Sequence, residues 1–533
     1  MDSTETNQPN QANRQIVRAA GTIMIPMLLG QVLSLIASIL IGRLYGMGDQ
    51  NDAYTAANIL TNIIYSLVAG GALASAFIPT FTTLLTRGDR ATAWKLASSV
   101  ANLVTLILIF LCGTAAIFAP WVVTHILSTG FTDPAKVALT AQMLRVQLIA
   151  PVIFGISGLM MGIINAHQSF LWPALAPVMY SVGKIIGALF LVPHFGPQGL
   201  SYGVVAGAAM HLLIQLPVLL RLPERRYSFS LGLKLPEVRE VARLMGPRLI
   251  GVSIVQLNLL INSNLASPYS GATAAINYAF ALMLIPEAMI AQATATAALP
   301  TFSAQVARNK PEEMRSSMAV LLRGVLMLAL PASLGLILMG KPLITLIYQY
   351  NQFNSTSTMM MAWALMFYAG GLVFHSVVEI VSRAFYALHD TKTPVLVGVA
   401  AMSLNVGFSF LFTWLFKQLG WMPHGGLALA NSLATALETG GLLYFMRKRL
   451  GGLELKVIGE GVLKAGIATL AMSLALWGWL QFSAGRSTVF VALGGLALGV
   501  VVYFVAAVLL RVPELSLLKR LLDRVLPHRE SND

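Results

Sequence analysis

The sequence predicts an all-α, polytopic membrane protein of about 14 transmembrane helices, built as two parallel six-helix repeats followed by a C-terminal helix pair. Three observations predict this. Of 533 residues 56% are hydrophobic and only 11% charged, with a mean hydropathy of +0.74; a soluble domain carries about 25% charged residues, so lipid must solvate most of this surface. Apolar runs of bilayer-crossing length recur along the whole chain, separated by short polar loops. Finally, "AFIPTF" at 76–81 returns as "AALPTF" at 297–302, an offset of 221 positions that other landmarks share.

Each span follows from a ruler of about 20 apolar residues per crossing. The first run, 21–44, follows the polar stretch Met1–Asn13 and the cations Arg14 and Arg18. No small-residue cleavage site follows it, so it reads as a retained helix rather than a removed signal peptide. The run at 54–79 carries Asn58 and Asn62, and 96–119 holds Cys112. As the chain's single cysteine, Cys112 permits neither a disulfide framework nor a cysteine metal site. Runs at 138–164, 171–192 and 199–220 complete the first unit. The second has 243–266, 273–299, 318–340, 359–386, 394–416 and 425–446, and the terminal pair is 460–482 and 488–511. Pro26, Pro151, Pro177, Pro217, Pro286 and Pro331 fall inside spans, where they kink a helix and neighbouring groups re-satisfy the freed carbonyls.

Charge fixes the expected orientation. Of 35 Lys and Arg, 25 fall in the tails and loops of one side, and 5 on the other: Arg43, Lys136, Lys341, Lys417 and Arg486. The excess marks the cytoplasmic side, so both termini are expected there. In a soluble protein the formal charge of +14 would suggest nucleic acid; here it is a matter of topology, and no nucleic-acid partner is expected.

At the offset of 221, Pro26 meets Pro247, Gly30 meets Gly251, Arg87 meets Arg308 and Pro173 meets Pro394; further on Gly199-Leu200 meets Gly426-Leu427 at 227. The repeat predicts a cytoplasmic tail at 1–20, an N-lobe at 21–222, a C-lobe at 223–450, a helix pair at 451–511 and a cytoplasmic tail at 512–533. Six crossings are even, so both lobes enter the membrane in the same sense, the arrangement of a parallel-repeat transporter with alternating access.

Chemical motifs are largely missing. There is no GxxxxGK[ST], HExxH or paired-cysteine pattern, and the loops are too short for a catalytic domain. No enzyme activity, cofactor or metal is expected. Ionisable groups inside spans are costly and become candidates for function. Lys184 in "YSVGKIIGAL" reads as a cation facing a cavity or as a snorkelling lysine on a backbone carbonyl. Arg145 lies nearer a helix end and reads first as structural. Glu379 and Arg383 stand at i,i+4 in the order that favours an ion pair. Glu287 follows Pro286, and Arg248 opens the seventh span. Asn58, Asn62, Gln256, Asn258, Asn262 and Asn277 load amides into the first two helices of each lobe, where they should face a hydrated interior. His211 and His375 read as histidines hydrogen-bonded to a neighbouring helix. Gly71 and Ser75 suit close helix packing.

Four stretches carry a resemblance: "APVIFGISGLMMGIINAHQSFLWPALAPVMYS" (150–181), "GPQGLSYGVVAGAAMHLLIQLP" (196–217), "MGPRLIGVSIVQLNLLINSNLAS" (245–267) and "VEIVSRAFYALHDTKTPV" (378–395). From about residue 20 to 450 the chain resembles the MurJ/MviN family of lipid II flippases. The resemblance implies the fold of the multidrug/oligosaccharidyl-lipid/polysaccharide exporter superfamily, with the terminal helix pair forming a groove for a lipid tail. It implies the bacterial inner membrane and, as cargo, an undecaprenyl-diphosphate-linked muropeptide flipped to the outer leaflet. Contacts with cell-wall synthesis enzymes would follow. Asp52 in "NDAY", Asn62, Gly71 and the Glu379/Arg383 pair match the family. The family's arginine-rich patterns do not: Gln31, Ala37 and Ser38 replace the charged residues of the first helix, Tyr65, Ser66 and Gly70 those of the second, and "AFALM" (279–283) lacks another arginine. A desolvated diphosphate needs cationic partners. Lys184, Arg145 and Arg248 are the residues that could compensate. The cavity candidates are therefore Asp52, Asn62, Arg145, Lys184, Arg248, Asn258, Glu287, Glu379 and Arg383. The alternatives are a flippase for another polyprenyl-linked oligosaccharide, a multidrug-type antiporter, and a non-transporting envelope scaffold.

Overall fold

In a computed structural model, described for residues 8–68, 72–223 and 225–512, the chain is helical wherever the apolar runs lie, and no strand occurs among the described residues. At 8–24, 68, 72–75, 247, 248, 250, 251, 254 and 255 only the backbone is described. The expected roles of Gly70, Gly71, Ser75 and the tail beyond 512 lie outside the described residues, as does the side chain of Arg248.

The order is α1 (Gln8–Tyr45), α2 (Asp49–Val68), α3 (Ala72–Thr86), α4 (Arg90–Ile117), α5 (Ala119–Val122), α6 (Pro134–Gln147), α7 (Ile149–Ala166), α8 (Leu171–Ile186), α9 (Val192–Phe195), α10 (Gln198–Leu213), α11 (Leu216–Arg221), α12 (Pro236–Ala266), α13 (Ala272–Glu287), α14 (Ala293–Ala307), α15 (Pro311–Tyr348), α16 (Ser355–Ala387), α17 (Lys392–Gln418), α18 (His424–Arg449), α19 (Leu455–Phe482) and α20 (Thr488–Leu509). Single π-helical turns occupy Val123–Leu127, Gly187–Leu191 and Ala288–Gln292. Eleven helical stretches among the described residues are long and apolar enough to cross a bilayer. The expected spans 54–79, 243–266 and 425–446 are also helical but are not among those eleven. The first includes undescribed residues, and the other two carry the polar sets Gln256/Asn258/Asn262 and Asn431/Thr435/Glu438. Fourteen crossings is thus the reading of the sequence, and eleven the number that length and apolarity establish.

The chain divides into two compact units, Met1–Thr273 and Ala274–Asp533. In the first, Met143, Leu144, Leu148, Phe154 and Val204 form a core between α2, α6, α7 and α10. A second cluster gathers Phe77, Phe81 and Trp94 with Val238 and Val241 of α12. By its contacts with α2 and α3, α12 sits in this unit, although the repeat assigns it to the second half. The α8–α10 contact is set by glycine. A Cβ on Gly183 would lie 2.1 Å from Gly207 Cα, and one on Gly187 2.8 Å from Gly203 Cα. Small residues four apart on both helices let the two backbones touch, as membrane helices do in the absence of a hydrophobic driving force between them.

In the second unit α16 packs between α15 and α18, α17 lies on α18, and α19 and α20 lie on α15. Its core joins Phe302, Met314, Met318 and Leu322 to Ile380, Ala384 and Phe385. The repeated punctuation has a repeated job: Phe81 and Phe302 are each fully buried in their own unit. The helix pair α19/α20 is held on α15 by Met327, Met339, Met472 and Leu476, and by the Tyr503 hydroxyl, which donates to the Met327 carbonyl.

Candidate functional site

The first unit contains a cavity of about 380 Å³ between α1, α2, α7, α8 and α10. Lys184 and Tyr180 are four apart and share a face of α8, and His211 is four beyond Gly207 on α10. The glycine contact between these helices therefore brings the lysine and the histidine to one hollow. Lys184 Nζ stands 4.8 Å over the Tyr180 ring, a cation–π contact that offsets part of its desolvation. Tyr65, Phe154, Tyr180 and His211 surround the hollow as an edge-to-face aromatic set, with Phe154 centred 4.5 Å from Tyr65 and 5.2 Å from each of the other two. Ser157 Oγ lies 2.6 Å from His211 Nδ1 and accepts from Gln215 Nε2 at 2.8 Å. His211 is 1% exposed, and its Nε2 has no hydrogen-bond partner among the described residues. The lining also includes Gln31 and Tyr65.

Beside this hollow runs an amide chain. Asn62 Nδ2 donates to Asn58 Oδ1 at 2.8 Å, Asn58 Nδ2 to Gln147 Oε1 at 3.2 Å, and Gln147 Nε2 to Ser201 Oγ at 3.1 Å. The amides thus satisfy one another across α2, α6 and α10, from exposed Asn62 through half-buried Asn58 to buried Gln147 and Ser201.

A second polar centre sits where α2 begins. Lys136 of α6 donates to Asp49 at 2.7 Å and to Asp52 at 2.9 Å, with its ammonium 4.1 Å over the Phe131 ring. Asp52 is fully buried and also accepts from the Gly271 backbone N–H at 2.7 Å, while Asp49 accepts from Ser270 Oγ at 2.8 Å. The Lys136 hydrogen bond, foremost, holds the Asp49 carboxyl below the usual carboxylate range against the opposing effect of burial, with smaller help from Ser270. Nearby, Thr129 donates to Asn264 Oδ1 at 2.5 Å, the Asn264 amide to the Ile126 carbonyl at 3.0 Å, and Gly130 N–H to Ser267 Oγ at 2.9 Å. The turn between α12 and α13 is thereby clasped onto α2, α6 and the segment before α6.

In the second unit Glu287 is 3% exposed at the join of α13 and the π-helical turn, and accepts from Gln292 Nε2 at 2.9 Å. Glu379 and Arg383 form the expected i,i+4 pair on α16 at 3.3 Å, both partly exposed, with Arg383 5.7 Å from the Tyr386 ring. His375 Nε2 meets Asn431 at 3.2 Å and Thr435 at 3.3 Å, so it is bound to the neighbouring helix α18.

The candidates therefore separate. Lys184 lines the cavity. Asn62 joins the amide chain, and Asn258 accepts from Asn262 Nδ2 at 3.0 Å. Asp52 belongs to the clasp, and Glu287, Glu379 and Arg383 to the second unit. Arg145 is exposed and donates through Nε to the Ala116 carbonyl at 3.1 Å, capping the end of α4 and not lining the cavity. Sequence reasoning missed Lys136, counted as a loop charge, and undervalued His211. The i,i+4 placement of His211 and Gln215 was the available signal for the latter.

Comparison with known proteins supplies the family. The model of the family described as "Lipid II flippase MurJ" matches residues 41–496. A lipid II flippase MurJ of Burkholderia cenocepacia is 30% identical over 440 residues, covering 81% of this chain and 84% of that protein. A probable lipid II flippase MurJ of Bdellovibrio bacteriovorus is 28% identical, covering 97% and 99%. Among solved structures, a lipid II flippase MurJ in an inward closed conformation superposes with a TM-score of 0.78 at 22% identity, covering 92% of this chain and 98% of that one. An inward-facing multidrug resistance MATE family transporter does so at 0.68 and 16%, covering 81% and 98%. These likenesses establish the fold. With helices apolar enough to span a bilayer, this chain is a multi-pass membrane protein that belongs to the lipid II flippase MurJ family.

Proposed function

We propose that the chain moves a polyprenyl-diphosphate-linked peptidoglycan precursor, of the lipid II kind, from the cytoplasmic to the outer leaflet of the bacterial inner membrane by alternating access, with both termini cytoplasmic. The observation that carries this reading is the family match over 41–496, joined by relatives named lipid II flippases across most of their length. The charge asymmetry of the loops supports the orientation. Lys184, the one Lys or Arg among the cavity's described lining residues, supports an anionic headgroup as the moving part. The α19/α20 pair on α15 offers the lipid chain a path outside that cavity. No step of this cycle makes or breaks a covalent bond in the cargo.

A second reading, transport of another polyprenyl-linked oligosaccharide, is favoured by one observation: Gln31 and Tyr65 line the cavity where the family pattern has arginine. Expression in cells depleted of their own lipid II flippase separates the two. Recovery of outer-leaflet lipid II, read by its accessibility to an externally added hydrolase, is the expected result. Normal insertion without recovery would refute lipid II as the cargo.

A further inference from the structure

The segment that joins α11 to α12 in the first unit has a polarity that runs the wrong way for water. From Tyr227 to Leu233 exposed and half-buried residues alternate, the pattern of an extended chain whose successive side chains point to opposite faces. On a soluble protein the apolar set would take the covered face. Here Tyr227, Phe229, Leu231 and Leu233 take the exposed one, with Phe229 95% exposed. Ser228, Ser230 and Gly232 take the half-buried one.

This strap is fastened to α4. Ser98 and Asn102 are four apart and share a helix face. Ser98 Oγ accepts from the Ser228 N–H at 3.1 Å. Asn102 Nδ2 donates to the Ser228 carbonyl at 3.0 Å and the Ser230 carbonyl at 2.9 Å, and its Oδ1 accepts from the Tyr227 hydroxyl. Gly232 N–H donates to Ser230 Oγ at 3.1 Å, and the Leu233 carbonyl accepts from Arg239 Nε at 3.2 Å. Gly232 closes on α4 where a Cβ would lie 2.5 Å from Ser99 Oγ, and its φ of +58° favours glycine as well. Asn102 lies about 9 Å along the helix from the start of the expected span at residue 96. Non-helical backbone at such depth is tolerated where protein groups satisfy it, and α4 supplies them.

The surroundings say what covers the apolar face. Leu106, Ile109 and Phe110 continue the Asn102 face of α4 within the expected span and are exposed, so the strap borders a surface that lipid solvates. Exposed Arg221, Arg225 and Arg226 precede the apolar set, and exposed Lys234, Arg239 and Arg243 follow it. Aromatic residues collect at the membrane–water interface, and clustered Lys and Arg beside an apolar face read as contacts to anionic headgroups. A second copy of the chain would set the same cations against one another.

We propose that residues 227–233 form an interfacial strap that seats Tyr227, Phe229, Leu231 and Leu233 in the adjoining leaflet, with Arg225 and Arg226 on the phosphates of anionic phospholipids. Ser98 and Asn102 act as positioning residues that hold the strap at its depth. The surface lies outside the cavity and the transport path; only its assignment to the cytoplasmic leaflet rests on the orientation proposed above.

The test attaches a bimane fluorophore through Phe229→Cys to the purified full chain in nanodiscs, in a Cys112→Ala background so that no other thiol reacts. Phe110→Cys on α4 is the lipid reference. Glu312→Cys is the water reference, its native side chain being 86% exposed. The probe at 229 should be quenched by phospholipids carrying a doxyl group near the headgroup and little by aqueous iodide, whereas the probe at 110 should respond to more deeply labelled lipid. Brominated phosphatidylglycerol should quench at 229 more than brominated phosphatidylcholine at equal mole fraction. Arg225→Gln and Arg226→Gln should each lower that preference about fivefold, the effect of one cation near an anionic surface. Asn102→Leu, which cannot donate to the strap carbonyls, should move the 229 probe towards iodide while the 110 probe, reporting the fold, stays in lipid. A 229 probe quenched by iodide as at 312 overturns the proposal. So does one that neither quencher reaches, because the chain's own tail or a second copy covers it. A lipid preference unchanged in both arginine variants overturns the headgroup contact, and a wild-type profile in Asn102→Leu overturns the fastening role of Asn102. If an impermeant thiol reagent reaches Glu312→Cys from outside spheroplasts while 229 remains lipid-quenched, the orientation falls and the strap stands; protection at 312 with iodide quenching at 229 leaves the orientation standing and the strap refuted.

Discussion

Replacing Lys136 by methionine keeps the side chain's apolar stem and removes its charge. The buried carboxylate of Asp52 then retains the Gly271 N–H at 2.7 Å but loses the ammonium at 2.9 Å. Breaking a buried ion pair by removing one partner costs roughly 3–5 kcal/mol, because an uncompensated charge is left behind. The surviving contacts of Asp52, the Gly271 N–H among them, put K136M near the lower end, at about 3 kcal/mol. The Asp49 contact adds at most about 1 kcal/mol, since that side chain is 54% exposed. The measurement is the unfolding midpoint in detergent for K136M, D52N and the double variant. The double variant leaves no buried charge, so it should be more stable than the single effects added together, by a coupling of about 1.5 kcal/mol or more. A K136M midpoint equal to wild type, or strict additivity, would refute the clasp as an energetic unit. The pH dependence is also fixed in sign. The folded Asp49 carboxyl titrates below its unfolded value, about 3.9. Its contribution is therefore fully present above that value and lost as pH falls through the folded one. The Asp49 contribution should therefore be constant between about pH 5 and 8.

Three further outcomes follow from named contacts. Asp390 accepts from Thr393 N–H at 3.0 Å and Thr393 Oγ1 at 2.8 Å, and these bonds, with the more distant Arg449, hold its carboxyl below the usual range; D390A should cost about 1 kcal/mol and speed amide exchange at 391–395, and unchanged protection there would contradict the assignment. In the wild type this contribution fades only as pH drops below the ordinary carboxylate range. Gly207→Ala would place a Cβ 2.7 Å from the Tyr180 carbonyl and should sharply reduce folded yield, whereas Gly246→Ala, with no atom within 4 Å of its Cβ, should be neutral or add up to about 1 kcal/mol; equal yields would argue against the glycine contact between α8 and α10. Arg145→Ala removes one exposed hydrogen bond and should leave rescue of flippase-depleted cells unchanged; a loss of rescue with normal insertion would return Arg145 to the transport path.

Helices, their repeat and the membrane as solvent were legible in the sequence because they rest on local quantities: run length, apolarity, and landmarks such as Pro79/Pro300 recurring at one spacing. The Glu379–Arg383 pair was legible for the same reason, since i,i+4 geometry needs only one helix. The site was not. Arg145 and Lys184 look alike as isolated cations in apolar runs, yet one hooks the exposed end of α4 and the other lines a cavity. That difference depends on which faces of separate helices meet, and here the meeting of Gly183 and Gly187 with Gly203 and Gly207 decides it. Lys136 reads in sequence as a loop charge; the packing of α6 on α2 makes it a buried counter-ion to two aspartates 84 and 87 positions away. By itself the sequence determined that this chain crosses a membrane many times as a duplicated helical body, because the lipid must cover whatever water cannot. Only the tertiary structure decided which costly polar groups share a hollow and which neutralise each other, because pairing across helices is set by backbone approach rather than by order along the chain.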